Sequence, residues 1–218
     1  MRDPITAKQF HDSDGIEDWR VVSGGASAVY RVTSFSEGVG FAVLIASIAD
    51  ELDHHPDVDV RARSVTIRTR THSTNSLTEM DVALAQRIQA AARQLDLVAD
   101  PSAVQTVFFA IDAPDSFEKV QPFWKAALGY KERLPHELQD PKRRGPLFWF
   151  NDKPHRDGHN RIHVDVSVPH DIAEARVQAV LDAGGRLLGD TFAPAWWSLI
   201  DADGNVVDIA TWRGRGDD

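Results

Sequence analysis

The chain has 218 residues, room for one large domain or two small ones at roughly 100–200 residues each. Its 42% hydrophobic and 26% charged residues are those of a globular protein and exclude disorder or a fibrous repeat. A formal charge of −9 argues against general nucleic-acid binding, and the absence of cysteine excludes disulfides, thiolate metal sites and cysteine nucleophiles, which suits a cytoplasmic location. The opening MRDPITAKQF has no apolar signal core. The longest apolar run, 38–49, spans 12 residues and reads as a buried helix, not a membrane span, which needs about 20.

In chain order, residues 19–22 and 28–33 are short β-type runs separated by the turn signal Ser23-Gly24-Gly25. Across 36–53, Phe41, Leu44, Ile45, Ile48 and Leu52 recur at helical spacing and predict one buried stripe. Residues 58–71 alternate, with Val65, Ile67 and Thr69 on one face and Thr66, Arg68 and Arg70 on the other. The basic stretch Arg61, Arg63, Arg68 and Arg70 is then the wet face of a hairpin that turns near Arg63. Thr78-Glu79-Met80-Asp81 predicts a capping box opening a helix to about Leu95, with Val82, Leu84, Ala85 and Ile88 turned inward. The polar stretch 99–103, with Pro101, marks a boundary, and the expected domains are 1–99 and 104–213.

Beyond it come a strand over 106–111 and a helix whose Phe117, Val120, Trp124 and Leu128 share one face, stopped by Gly129. Strand pieces including 147–150 follow. A strand at 161–168, a helix at 172–183, a Gly184-Gly185 stop, strands at 197–200 and 206–211 and a turn at 201–205 repeat that order. Asp115 against Asp171 and Gly129 against Gly185 share an offset of 56 residues, a weak internal repeat of a strand-helix-strands unit. Two such units can pair into one curved sheet with a cleft. Five of the six tryptophans fall here, and adjacent Trp196 and Trp197 must point opposite ways in a strand, so one is free to line that cleft.

Histidine is the residue that carries chemistry. His54-His55-Pro56 lies where the long helix meets the hairpin, and His72 comes 17 residues after His55, just past the returning strand. A hairpin with equal legs brings the three imidazoles to one end of the sheet, and Pro56 holds the doublet at the helix end. Three readings are open: a metal site, acid–base work near neutral pH, or a helix C-terminus that favours histidine through its dipole. Adjacent His54 and His55 point apart in most local backbones and no fourth ligand is near, which counts against the metal.

The stretch Asp50-Glu51-Leu52-Asp53-His54-His55-Pro56, the spacing to Thr71-His72 and the later Leu77-Thr78-Glu79-Met80-Asp81 resemble the pterin-4a-carbinolamine dehydratases, over roughly residues 5–95 and upstream through Trp19 and Phe41. The resemblance implies an α+β domain with a four-stranded antiparallel sheet and helices on one face. It implies loss of water from 4a-hydroxytetrahydropterin to give quinonoid dihydropterin, with no metal or organic cofactor. The implied catalytic set is His54, His55 and His72, with His54 and His72 sharing the acid and base roles and His55 positioning the pterin. Asp50 and the backbone near Thr71, Ser73 and Thr74 are the implied pterin contacts. Asp81 also fits the family pattern and is read here as the helix cap. Homo-oligomerisation, a reduced pterin as substrate and a pterin-dependent hydroxylase as partner are implied too, with no nucleic acid and no membrane. One departure stands out: Val58 and Ala62 occupy the hairpin leg where the family usually carries aromatics.

In the second half, Phe123-Trp124-Lys125-Ala126-Ala127-Leu128-Gly129-Tyr130, then 160–166, then Asp203-Gly204-Asn205 resemble the glyoxalase-like branch of the vicinal oxygen chelate superfamily, over about residues 104–213. That implies two βαβββ modules around a cleft where many members hold a divalent metal. His163 and Asp208 stand at ligand positions of the second module. The offset of 56 sets Val107 against His163, and the first module's later strand offers Phe148, Trp149 and Phe150, so two ligands of four are present. His155 and His159 lie nearby in sequence. The alternative is a metal-dependent enzyme or small-molecule-binding protein that uses this cleft, with a degenerate dehydratase domain.

Overall fold

The computed structural model describes residues 3–113, 117–143, 145–151, 162–200 and 206–215. The chain forms two compact units, one of Met1–Val104 with Trp212–Asp218 and one of Gln105–Thr211. The first unit runs β1 (Pro4–Ile5), α1 (Ala7–His11), β2 (Arg20–Val22), β3 (Gly25–Arg31), α2 (Phe35–Leu52), β4 (Asp57–Val60), β5 (Ser64–Thr69), β6 (Leu77–Thr78), α3 (Glu79–Gln94) and β7 (Val98–Ala99). Its antiparallel sheet has the order β2-β3-β5-β4, with β7 added to the end of β3. The short β1, α1 and β7 are absent from the sequence reading, since two to five residues carry too little periodicity to register. The strand predicted to start at Ala28 starts at Gly25, because Ser23 and Gly24 both take positive φ and form the whole turn.

Alternation works as expected. Ala28 and Tyr30 on β3 pair with Ile67 and Val65 on β5, and all four are buried under Phe41, Ile45 and Ile48 of α2 and Leu84 and Ile88 of α3. Gly38 lets α2 approach the sheet, for a Cβ there would stand 3.1 Å from Val60 Cγ1. The apolar run in α2 is buried on one side only. Leu44 is about one-third exposed, and Phe35, Val39 and Val43 form an outward apolar stripe, because the sheet covers just one face of the helix. Trp212 belongs with this unit: its ring stacks on His11 with centroids 5.5 Å apart.

The second unit runs β8 (Thr106–Asp112), α4 (Phe117–Leu128), β9 (Lys131–Glu132), β10 (Glu137–Gln139), β11 (Leu147–Asn151), β12 (Ile162–Ser167), α5 (Ala173–Asp182), β13 (Arg186–Gly189), β14 (Trp196–Ile200) and β15 (Val206–Ala210). These are two βαβββ modules in one eight-stranded sheet, order β13-β14-β15-β12-β8-β11-β10-β9. Phe109, Ile111, Phe148 and Phe150 meet Trp124 and Leu128 of α4, while Val166, Ile209, Leu199 and Trp197 meet Val177 and Val180 of α5. Trp197 thus packs inward, and Trp196, on the other face, stacks on Phe192.

Register corrects the repeat. β8 and β12 pair antiparallel with His163 opposite Ala110 and Val107 opposite Val166, so Val107 lies on the helix side and His163 on the other. An even offset swaps faces across this pair, so the counterpart of His163 in the first module is an even-numbered neighbour, Thr106 or Phe108, not Val107. Asp115, the 201–205 turn, Asn160, Arg161, His155, His159 and the side chains of Phe117, Val120 and Phe123 lie outside the described residues. No helix among the described residues is long and apolar enough to cross a membrane.

Candidate active site

The first site is built where α2 stops. The helix ends at Leu52, four residues before Pro56, because Asp53 takes a left-handed conformation (φ 48°) and the His54 amide donates back to the Ala49 carbonyl at 3.0 Å. That reversal turns His54 inward and leaves His55 outward. His54 is buried, and its Nε2 lies 2.8 Å from Asp81 Oδ1 and 3.3 Å from Thr69 Oγ1. His55 is exposed, with Nε2 3.0 Å from Oδ1 of Asp50, which is exposed as well.

Asp81 occupies the third position of α3 and closes the predicted capping box by accepting from the Thr78 amide at 2.8 Å. The same carboxylate accepts from Thr69 Oγ1 at 2.6 Å and from Thr71 Oγ1 at 2.8 Å. Thr71 and Thr78 hydroxyls are 2.7 Å apart. Burial pushes the Asp81 carboxyl up, but the hydrogen bonds from His54, Thr69, Thr71 and the Thr78 amide outweigh it and hold the group below its ordinary value. An ionised carboxylate only accepts, so the proton between the two rests on His54 Nε2. Nδ1, which takes no hydrogen bond among the described residues, is the nitrogen left for other work.

His72 is exposed in the turn after β5, between the bridged residues Thr71 and Ser76. Ser73 is exposed beside it, and Thr74 Oγ1 accepts from Ser76 Oγ at 2.8 Å. The structure thus joins His54 to Asp81 and His55 to Asp50. Two members of the site go beyond the sequence reading: Asp81, which fits the family pattern but is read there as the helix cap, and Thr69, read as one residue of an alternating face. The signal was there: a hydroxyl in line with buried Val65 and Ile67 needs a polar partner inside.

The second unit holds its own cluster on the sheet face that carries no helix. His163 Nε2 lies 3.3 Å from Asp165 Oδ1 and 3.9 Å from Asp208 Oδ2, and one donor atom from each residue falls within 4.8 Å of the others. Asp165 and Asp208 are direct partners across β12 and β15. Asp165 went unnoticed in the sequence although it is two residues from His163, on the same strand face. Burial lowers the His163 imidazole, and the nearby Asp165, Asp208 and Asp112 carboxylates raise it by more, for a net rise. Asn151 Nδ2 donates to Asp112 Oδ1 at 3.2 Å and Trp149 Nε1 donates to Asn151 Oδ1.

The model of the pterin 4 alpha carbinolamine dehydratases matches residues 3–91. A Herpetosiphon aurantiacus relative named for that dehydratase is 42% identical over 70 residues, covering 32% of this chain and 73% of its own. The chain belongs to the pterin-4-alpha-carbinolamine dehydratase family. A Mycolicibacterium smegmatis relative so named is 36% identical over 70 residues, 32% of this chain and 74% of its own. The dehydratase match ends within α3, and residues 108–210 match a glyoxalase-like domain. A Vibrio splendidus member of the glyoxalase/bleomycin resistance protein/dioxygenase superfamily, 14% identical, covers 50% of this chain and 99% of its own with a TM-score of 0.35.

Proposed function

We propose that the first unit removes water from 4a-hydroxytetrahydropterin to give quinonoid dihydropterin by histidine acid–base catalysis. The observation that carries this reading is the buried Asp81 carboxylate that fixes His54 in one tautomer, with Nε2–H directed into the fold. In the reaction the C4a–O bond breaks, the hydroxyl leaves as water after taking a proton, and loss of the N5 proton forms the C4a–N5 double bond. Nδ1 of His54 is suited to take the N5 proton, and the exposed His72 to protonate the leaving hydroxyl. His55, oriented by Asp50, sits at the surface to position the ring, with Ser73, Thr74 and the Thr71 backbone as further pterin contacts. The Thr71 hydroxyl is committed to Asp81. Val58 and Ala62, both exposed, offer little stacking surface, which favours a pterin held by hydrogen bonds over one held by aromatic faces.

A pterin-dependent hydroxylase is the class of enzyme that supplies this substrate. The outward stripe Phe35, Val39 and Val43 supports homo-oligomerisation through α2. The test is turnover of 4a-hydroxytetrahydropterin by the intact chain: His72→Ala abolishes it and chelators leave it unchanged. An inactive wild-type protein overturns the reading.

A second reading concerns the glyoxalase-like unit. One imidazole nitrogen and two carboxylate oxygens, all within 4.8 Å of one another, suit a divalent cation held by His163, Asp165 and Asp208. Such an ion polarises an oxygen ligand as a Lewis acid. Calorimetry with Mn²⁺ tests it; no uptake leaves this face a binding surface for organic ligands.

A further inference from the structure

We infer that Thr69 is a positioning residue of the dehydration site, one that acts on His54 through Asp81; the inference rests on the dehydratase reading above. Position 69 is the third in the helix-facing row of β5 after Val65 and Ile67, and all three side chains are fully buried. Nothing in packing asks for a hydroxyl there. Valine has the same branched shape and a comparable preference for strand, so the oxygen needs another explanation.

The explanation lies in where its proton goes. Thr69 Oγ1 donates to Asp81 Oδ1 at 2.6 Å, the oxygen that His54 Nε2 reaches at 2.8 Å, and Oγ1 itself is 3.3 Å from Nε2. The other oxygen, Oδ2, is held by the Thr71 hydroxyl and the Thr78 amide. A carboxylate turns about one bond, so fixing both oxygens fixes its plane. Thr69 is the group that locks Oδ1 and keeps the imidazole ring aligned with it. The charged groups around this contact are few. Asp81 comes from α3, β5 contributes the hydroxyl of Thr69 and the turn after it that of Thr71, and on the segment of His54 itself Asp53 is exposed while His55 and Asp50 engage each other. Thr69 therefore governs the geometry of the one charged group hydrogen-bonded to His54 among the described residues.

The experiment compares Thr69→Val and Thr69→Ser in the full chain. Thr69→Val is expected to fold, to lower kcat about tenfold with KM within about twofold, and to shift and broaden the proton resonance of His54 Nε2–H. Thr69→Ser is expected to restore both, because it returns the hydroxyl and not the methyl. A Thr69→Val protein with wild-type kcat and an unchanged Nε2–H resonance overturns the inference. So does failure of serine to rescue, which assigns the effect to packing. If the wild-type protein dehydrates no pterin, the functional reading falls, while the resonance comparison still decides whether Thr69 positions His54.

Discussion

The two units each set a histidine against carboxylate, and they do so in opposite ways. In the first, one carboxylate meets one imidazole and a shell of hydroxyl and amide donors, so every lone pair of Asp81 is occupied and the proton has one place to be. In the second, Asp165 and Asp208 converge on a single His163, with Asp112 adding further negative charge. The first arrangement is complete without a guest and suits proton transfer at the free nitrogen. The second concentrates negative charge around one donor and suits a cation. Chemistry near histidine is thus decided by how many donors surround its carboxylate partner.

The largest expected effect separates the sites. His54→Ala lowers dehydration by about 10²–10⁴-fold, the usual worth of a general acid or base, whereas His163→Ala leaves it unchanged, as followed by pterin absorbance. Equal losses in both variants break the distinction. Next, Asp165→Asn or Asp208→Asn removes Mn²⁺ uptake by calorimetry without altering dehydration; uptake that survives both changes places the ion elsewhere.

Asp81→Asn sharpens the contrast through stability. An amide turns an NH₂ toward donors that need an acceptor, and thermal melts should show a cost of about 2–4 kcal/mol. The pH dependence has a definite sign. The Asp81 carboxyl lies lower in the folded state than in the unfolded one, so its contribution is full at neutral pH and fades as pH falls below about 4, through the folded value. Melts of Asp81→Asn should therefore lose part of the acid limb seen in the wild type. The smallest effect is Asp53→Gly, where φ is 48°: the melting point should move by the equivalent of about 1 kcal/mol or less, and activity should persist.

Much of this was legible in the residues. The alternation of 65–69, the capping box at Thr78 and the His54-His55-Pro56 and His72 pattern fixed the first fold, and the strand-helix-strands order fixed the second. What was hidden depended on long-range pairing. That Asp81 serves His54 as well as the helix requires knowing that β5 and α3 meet beside the end of α2. That His163 shares its face with Asp208 requires the register of β12 against β15, and that Val107 lies on the opposite face requires the register of β8 against β12. The helix end near Asp53 was legible, but its cause was hidden for a third reason: a left-handed aspartate leaves no sequence pattern, whereas Pro56 is a known helix breaker.

Asp81 is at once the cap that opens α3 and the brace of the His54 imidazole. The tautomer of His54 is therefore fixed only in a chain whose α3 has been nucleated and docked. Under the proposed dehydration, one carboxylate would then tie activity to folding, since a chain that has not docked α3 lacks the brace of His54.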